Sequence, residues 1–244
     1  MTTTSRFRHV ARTSALATLG VSMLFMAPGT FAQAFQGTPA ATPMWSCESA
    51  GTPAASSGHG TGGANQSEMM ANVEFDQLYI DMMLPHHGSI IALAEAALPR
   101  LNDPRLKEMA QNIIDTQSAE QAELTGYREA WYGSGSPDRS EHSMMLMIEA
   151  LPGMNSSMDM MMQQMDANQQ VATFCSATDP DLAFIEQVIP HHQMAIDSSK
   201  DAPGKAVHPE TKAFAAKVIE DQQAEIEQLN QIKAELTDRA TPSN

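Results

Sequence analysis

The sequence contains the tripeptide Pro-His-His twice, each time inside an apolar stretch with helical spacing. The four imidazoles form two adjacent pairs, His86 with His87 and His191 with His192. Neutral imidazole is a ligand for copper, zinc and other first-row transition metals. Helical bundles build metal sites from side chains on facing helices. Histidines on an apolar face can instead belong to a hydrogen-bond network that fixes helix register, so the interpretation depends on their partners.

Each histidine pair has candidate partners in a later helical stripe. The first stripe contains Gln117 and Glu120, and the second contains Gln222 and Glu225. Both stripes are otherwise apolar, so the amide and the carboxylate lie on the side of the helix that faces a core. A buried carboxylate is costly unless it is paired, hydrogen-bonded or bound to a metal. We therefore expect the histidines to contact these residues.

The two sets are related by an internal duplication. A shift of 105 positions aligns residues 81–124 with residues 186–229 without a gap. The matched letters include both histidines, the glutamine, the glutamate and two prolines, whereas a bundle alone would require only apolar matches. The duplication favours a metal site over a structural polar network, which stays the alternative. The predicted core ligands are His86, His87, Gln117, Glu120, His191, His192, Gln222 and Glu225.

Long amphipathic stripes and helix-boundary residues predict an all-α fold. Asp103 as N-cap and Pro104 at the first helical position begin the second long helix, and Gly133 ends it. No alternating strand pattern of useful length occurs. Two repeats of a helical hairpin, within a domain spanning 67–239, predict a four-helix bundle. The helices are expected at about 67–98, 104–131, 179–200 and 209–237.

A methionine-rich connector joins the two repeats. Nine methionines fall between Met144 and Met165, and thioether sulfur is a soft ligand that suits Cu(I). Some have the spacing of an amphipathic helix that packs on the bundle, namely Met158, Met161, Met162 and Met165. The others, near His142, are the better candidates for surface copper ligands: Met144, Met145, Met147, Met154 and Met160. Met194, one turn after His191, could join the second core site.

The N-terminal segment 1–34 has the features of a secretory signal peptide. Three arginines precede an apolar run, and Ala32-Gln33-Ala34 provides a small-x-small cleavage signal, so we expect cleavage after Ala34. An uncleaved anchor is the alternative. Residues 35–66 are rich in Gly, Ala, Thr, Ser and Pro and are expected to form a disordered spacer. Whether Cys47 and Cys175 pair in an oxidising compartment stays open.

The net charge and the absence of certain motifs limit the classes of function that the protein can have. Without residues 1–34 the chain has 11 basic and 29 acidic residues, a formal charge of −18. A polyanion repels nucleic acid and attracts cations, although acidity also promotes solubility. The chain contains no Glu-x-x-His pair of the di-iron type and no complete hydrolase or nucleotide-binding motif. We expect metal ions as partners, no nucleic acid and no transmembrane segment after cleavage; an enzyme is the less favoured class, and self-association is open.

Several of these segments resemble the family catalogued as domain of unknown function 305. They are YIDMMLPHHGSIIALAEAAL, DPRLKEMAQNIIDTQSAEQAEL, LPGMNSSM, FIEQVIPHHQMAI and IEDQQAEIEQL. The resemblance covers about 67–236 and implies a ferritin-like bundle exported from a bacterial cell, with members suspected of binding copper or other metals. Family members often carry Met two residues before the Pro of Pro-His-His. Met83 matches this pattern and Val188 does not, which implies that the second site differs.

The predicted function is that of an exported metal-binding bundle protein in the periplasm or cell envelope. Copper is the expected metal, and zinc or another divalent transition metal is the second choice. Metal sequestration or envelope metal homeostasis would be its role. The alternatives are a helical interaction module with a purely structural His, Glu and Gln layer, and a ferritin-like redox enzyme.

Overall fold

The computed structural model describes residues 45–48, 73–155 and 163–240. Every regular element in these ranges is helical, and the described ranges contain no strand, which confirms the all-α prediction. A 3-10 turn covers Pro152–Asn155, and a short helical stretch covers 163–165. The α-helices are α1 Phe75–Ala97, α2 Pro104–Tyr132, α3 Glu141–Ala150, α4 Ala167–Cys175, α5 Pro180–Ser199, α6 Ala202–Lys205 and α7 Pro209–Ala240.

The expected boundary residues begin and end the second helix. The side chain of Asp103 accepts a hydrogen bond from the backbone N–H of Arg105, as an N-cap does. Pro104 follows at the first helical position, where its missing N–H costs nothing. Gly133 ends α2 with a φ of 76°, a left-handed conformation that glycine adopts without steric cost. The predicted start of the first helix, at residues 67–72, lies outside the described residues.

Two helical hairpins form the core of the fold. Helix α1 packs along α2, α5 packs along α7, and the hairpins meet where α1 contacts α5. Helix α1 is apolar on nearly all sides, and α3 and α4 cover the part of its surface that α2 and α5 leave free. A buried ion pair between Arg128 and Asp81 aligns α1 with α2. The histidine pairs therefore lie in the middle of the molecule.

Two aspartates tie the hairpins together reciprocally. Asp76, at the start of α1, accepts hydrogen bonds from the backbone N–H groups of Val207 and His208 at 2.7 and 3.0 Å. Asp181, at the start of α5, accepts hydrogen bonds from the backbone N–H groups of Asn102 and Asp103 at 2.7 and 3.2 Å. Asp181 follows Asp76 by the 105 positions of the repeat, and so do the donor pairs. Each repeat thus binds the turn before the second long helix of the other repeat.

The connector is packed tightly against α5. A methyl group added at Gly153 would lie 2.3 Å from both the carbonyl oxygen of Met194 and Oγ of Ser198. Only glycine therefore allows the 3-10 turn to approach α5 this closely. Met147 and Met154 are each 1% exposed and belong to the same core cluster as Met194. The connector is consequently part of the core.

A disulfide bond between Cys47 and Cys175 attaches the segment 45–48 to the end of α4. Trp45 packs against Ala92, Ala96 and Val171, and its backbone N–H donates to the carboxylate of Glu95 at 3.1 Å. These four residues belong to the stretch 35–66, where we expected a disordered spacer; the expectation is wrong for them because the disulfide and Trp45 hold them on the bundle. The rest of that stretch and the predicted signal peptide lie outside the described residues.

Among the described helices, none is both long enough and apolar enough to cross a lipid bilayer.

Candidate metal centre

The two histidine pairs lie in a buried polar layer, as their helical stripes predict. All four imidazoles are fully buried. Gln117, Gln222 and Glu120 are also buried, whereas the side chain of Glu225 is 21% exposed. The layer crosses the whole bundle because the histidines come from α1 and α5 and the other residues from α2 and α7.

His86 and His191 meet at the centre of this layer. Their ring centroids are 3.7 Å apart and the ring planes are tilted by 36°. Nε2 of His86 lies 3.0 Å from the carbonyl oxygen of His191. A carbonyl oxygen can only accept, so Nε2 of His86 carries the proton and donates it. The neutral ring then has a bare lone pair on Nδ1.

The hydrogen bonds of Ser89 assign the same tautomer to His191. Oγ of Ser89 lies 2.9 Å from Nε2 of His191, 2.8 Å from the carbonyl oxygen of His86 and 2.5 Å from that of Gln164. The single hydroxyl proton satisfies a carbonyl, since carbonyls cannot donate. Oγ therefore accepts from Nε2–H of His191, whose Nδ1 is left as an acceptor.

The outer histidines each donate to a carboxylate. Nε2 of His87 lies 3.0 Å from Oε2 of Glu120, and Nε2 of His192 lies 2.6 Å from Oε2 of Glu225. Burial raises the pKa of Glu120, but the hydrogen bonds from His87 and Lys217 outweigh it and hold that pKa below its ordinary value. The contacts between histidines and glutamates that the sequence predicts are therefore present in both repeats.

Neutral rings are favoured at the centre of the layer. Burial, followed by repulsion from His87, holds the pKa of His86 well below its ordinary value, although the bond to the carbonyl of His191 acts in the opposite direction. Burial and the neighbouring rings, His86 first, likewise hold the pKa of His191 well below its ordinary value. Both rings therefore stay neutral near pH 7, which is the state that binds metal.

The layer contains a set of buried polar atoms without hydrogen-bond partners. Nδ1 of all four histidines is buried and has no hydrogen-bond partner. Oε1 of Gln117 and both amide atoms of Gln222 are also without partners. Buried polar atoms are nearly always hydrogen-bonded, so such a cluster calls for an explanation. Metal-ligating histidines usually donate their second ring N–H to a carboxylate or carbonyl. His86, His87 and His192 have this arrangement, and His191 donates to the hydroxyl of Ser89 instead.

The described residues do not form a closed metal cage. Among them, no three His, Cys, Asp or Glu side chains are gathered closely enough to hold one ion. The layer instead offers the unpartnered Nδ1 atoms of its four histidines and the amide oxygens of Gln117 and Gln222, and the buried Met194 follows His191 by one helical turn. This donor set of neutral nitrogen, amide oxygen and thioether fits a soft or borderline metal ion better than Mg²⁺ or Ca²⁺.

The methionines of the connector differ in how far they are exposed to solvent. Met145 is 62% exposed and Met144 is half-buried, as surface ligands would be. Met147 and Met154 are buried, so the expectation that they lie at the surface is wrong: both pack in the apolar core. Met160 and three methionines of the expected packing stripe, Met158, Met161 and Met162, lie outside the described residues. Met165 is half-buried and packs against the core, as predicted.

Two residues of the layer are absent from the sequence prediction. Ser89 contacts His191, and Nζ of Lys217 lies 2.6 Å from Oε1 of Glu120. Ser89 follows His86 by one helical turn, which is the signal that could have indicated it. Lys217 has no matching lysine in the other repeat, where Asn112 takes its place. A comparison of the two repeats that looks only for identical residues therefore does not reveal Lys217.

The fold and the layer together define an all-helical bundle protein with a duplicated His and Glu core. Residues 76–233 match the family described as Domain of unknown function (DUF305), and the chain belongs to that family. This confirms the family that the sequence motifs indicate.

Solved structures with similar folds include CopM. CopM in the Cu(I)-bound form is 29% identical with a TM-score of 0.51, over 66% of this chain and 96% of that one. CopM in a silver-bound form obtained by soaking is 30% identical with a TM-score of 0.50, over 66% and 96% of the two chains. A DUF305 protein from Streptomyces coelicolor shares the fold at 18% identity, with a TM-score of 0.54, over 66% and 93%.

One curated relative is an uncharacterized protein of Acanthamoeba polyphaga mimivirus. It is 37% identical over 49 residues, which are 20% of this chain and 32% of that protein. The chain therefore matches about a third of that relative.

Proposed function

We propose that the protein binds copper, with zinc as the second choice, and that it acts in metal sequestration or homeostasis outside the cytoplasm. The observation that carries this proposal is the set of four buried histidines whose Nε2–H groups are all engaged and whose Nδ1 atoms all lack partners. His86, His87, Gln117 and Glu120 would serve one repeat, and His191, His192, Gln222, Glu225 and Met194 would serve the other. The proposal assigns no reaction.

The geometry favours Cu(I) over zinc. Structural zinc sites use four protein ligands in a tetrahedral arrangement. The described residues instead bring two imidazoles, those of His86 and His191, into contact and gather no group of three His, Cys, Asp or Glu side chains. Cu(I) accepts fewer ligands and prefers soft donors such as thioether sulfur. The similarity to CopM, which has been solved with Cu(I) and with silver, supports the same choice.

A cleft beside the layer supports a further role for methionine. The cleft has a volume of about 1020 Å³, and Met144, Met147 and Met165 line it together with Ser89. Ser89 is the hydroxyl partner of His191. We propose that these methionines, with Met145 as a further candidate, bind Cu(I) next to the core layer. The ferritin-like class of the bundle and export through the N-terminal segment are parts of the same proposal.

The test is metal titration of protein purified without a histidine tag. Cu(I), Cu(II) and Zn(II) should show saturable binding to the wild type, tightest for Cu(I). Replacement of the four histidines by glutamine should abolish core binding, because glutamine retains an N–H donor but lacks the imine lone pair. His208→Gln is the matched control, because the ring of His208 stacks on Trp131 outside both the layer and the connector. Unchanged binding in a folded quadruple variant would refute the core site.

One observation also supports the alternative of a purely structural polar layer: every histidine of the layer already donates to a protein acceptor. Glu120→Gln with Glu225→Gln separates the two functions. A purely structural layer would lose about 1 to 3 kcal/mol per site in the metal-free protein. A metal layer should instead show its main loss in the copper-dependent rise of the melting temperature, which follows from mass action. Thermal melts with chelator and with copper distinguish these outcomes.

A further inference from the structure

The two pairs of histidine and glutamate have different surroundings although the repeat relates them. In the first repeat, Oε2 of Glu120 accepts from His87, and Oε1 lies 2.6 Å from Nζ of Lys217. The side chain of Glu120 is 9% exposed. In the second repeat, Glu225 accepts from His192, its side chain is 21% exposed, and no lysine or arginine of the described chain forms an ion pair with it.

One difference between the repeats accounts for this asymmetry. Lys217 of α7 corresponds to Asn112 of α2 under the shift of 105 positions. Lys217 bridges Glu120 and Asp221, which holds its charge in front of the first carboxylate. Asn112 is neutral and lines the surface recess that Glu225 also lines. Lys217 therefore forms an ion pair with the carboxylate of the first pair, whereas no lysine or arginine in the described part of the chain forms one with Glu225.

The recess beside Glu225 is large enough for a hydrated cation. Its volume is about 440 Å³, and its lining includes Asn112, Glu108, Met109 and Gln228. Arg105, which also lines it, is engaged with Asp103 and Glu235 through ion pairs. The recess therefore offers carboxylate, amide and thioether groups, which are ligands or attractants for a transition-metal cation.

Two buried residues adjacent to Glu225 have polar atoms without hydrogen-bond partners. His192, bonded to Glu225, is fully buried, and its Nδ1 has no partner. Gln222, one turn before Glu225 on α7, is 3% exposed, and neither of its amide atoms has a partner. A cation bound at Glu225 would thus be next to acceptors that the protein does not otherwise use.

We propose that the pair of His192 and Glu225 is the port through which a transition-metal cation enters the polar layer, and that Lys217 closes the equivalent route at Glu120. This inference rests on the proposed function, because it specifies how the same layer is loaded. Lys217 repels an incoming cation and already neutralises the first carboxylate. Glu225 attracts the cation and can hold it through its second oxygen while His192 stays hydrogen-bonded.

Reciprocal exchange of the two corresponding residues tests the port. Loading of Zn(II) and Cu(I) is followed by stopped flow against a chelating indicator, and the number of bound ions is measured at equilibrium. Asn112→Lys should slow the fast loading phase at least tenfold, whereas the neutral control Asn112→Gln should retain it. The double exchange Asn112→Lys with Lys217→Asn should restore fast loading, now through the first repeat.

A second pair of variants identifies the route. In the wild type, His192→Gln should remove the fast phase and His87→Gln should retain it; in the double exchange, the dependence should be reversed. Melts in chelator verify that each variant is folded. If Asn112→Lys loads at the wild-type rate while the four-histidine variant fails to bind, the port is refuted and the core site stands, with the methionine-lined cleft as the entrance. Absence of saturable binding by the wild type would refute both.

Discussion

His86 and His191 occupy the same position in the two repeats, and their rings lie 3.7 Å apart at the centre of the bundle. Duplication of one sequence motif has thus brought like residues face to face. Protonation of either ring would place a buried charge against its counterpart, which is unfavourable in a low-dielectric interior. The pair is stable only while both rings are neutral.

This pair should make the stability of the protein depend on pH. The pKa values of His86 and His191 are lowered on folding, so the unfolded chain binds more protons below its ordinary histidine pKa of about 6.5. The contribution of the two neutral rings to the free energy of unfolding should be complete above this pH. Below it, the free energy of unfolding should decrease by up to about 1.4 kcal/mol per pH unit for each ring. Urea unfolding between pH 7.5 and 5 measures it.

The matched variant for this experiment is His86→Gln with His191→Gln, which keeps an N–H donor at both positions. Its free energy of unfolding should decrease less steeply over the same pH range, and His142→Gln serves as the control. An identical slope in the double variant and the wild type would contradict the assignment to these two rings.

The reciprocal aspartates should contribute similarly to stability. Asp76→Asn and Asp181→Asn each remove a carboxylate that accepts two backbone N–H groups. Because hydrogen bonds to charged groups contribute about 1.5 to 3 kcal/mol, each substitution should lower the free energy of unfolding by about that amount. Asp115→Asn, which alters an exposed contact with Gln111, should change it by less than about 0.5 kcal/mol. Chemical unfolding compares the three; a loss at only one aspartate would contradict the symmetry.

Gly153 should not tolerate even alanine. The added methyl group would overlap the backbone carbonyl of Met194 and Oγ of Ser198, so Gly153→Ala should destabilise the protein by about 1 to 3 kcal/mol through overpacking. Gly126, within α2, has no atom within 4 Å of the corresponding position. Gly126→Ala should therefore stabilise the helix by about 0.5 to 1 kcal/mol. Melting temperatures that move in the same direction would disprove this interpretation.

The disulfide should be a major source of stability. It closes a loop with a sequence separation of 128 residues, and cross-links of this kind contribute about 2 to 4 kcal/mol. Cys47→Ser with Cys175→Ser should lower the free energy of unfolding by this amount, and reduction of the wild type should reproduce the loss. Urea unfolding with and without a reductant provides the measurement. An unchanged midpoint after verified reduction would show that Trp45 and the core hold this region without the bond.

The sequence alone was sufficient for the features that depend on neighbouring residues. Asp103, Pro104 and Gly133 indicated where α2 begins and ends, because capping depends on side chains within one turn. Helical periodicity placed His86 and His191 on an inward face, and the duplication predicted that both repeats would pair histidine with glutamate. These signals are local, or they are repeated in the chain itself.

Only the tertiary structure decided which distant groups meet. The contact of Lys217 with Glu120, the docking of Asp76 on the turn before α7, and the bond between Cys47 and Cys175 depend on how the helices are rotated and aligned against one another. The burial of Met147 and Met154 likewise follows from the path of the connector across the bundle. Periodicity specifies the face on which a side chain lies, but its partner is set by packing between elements far apart in the chain. The asymmetry between the two repeats therefore became apparent only in three dimensions.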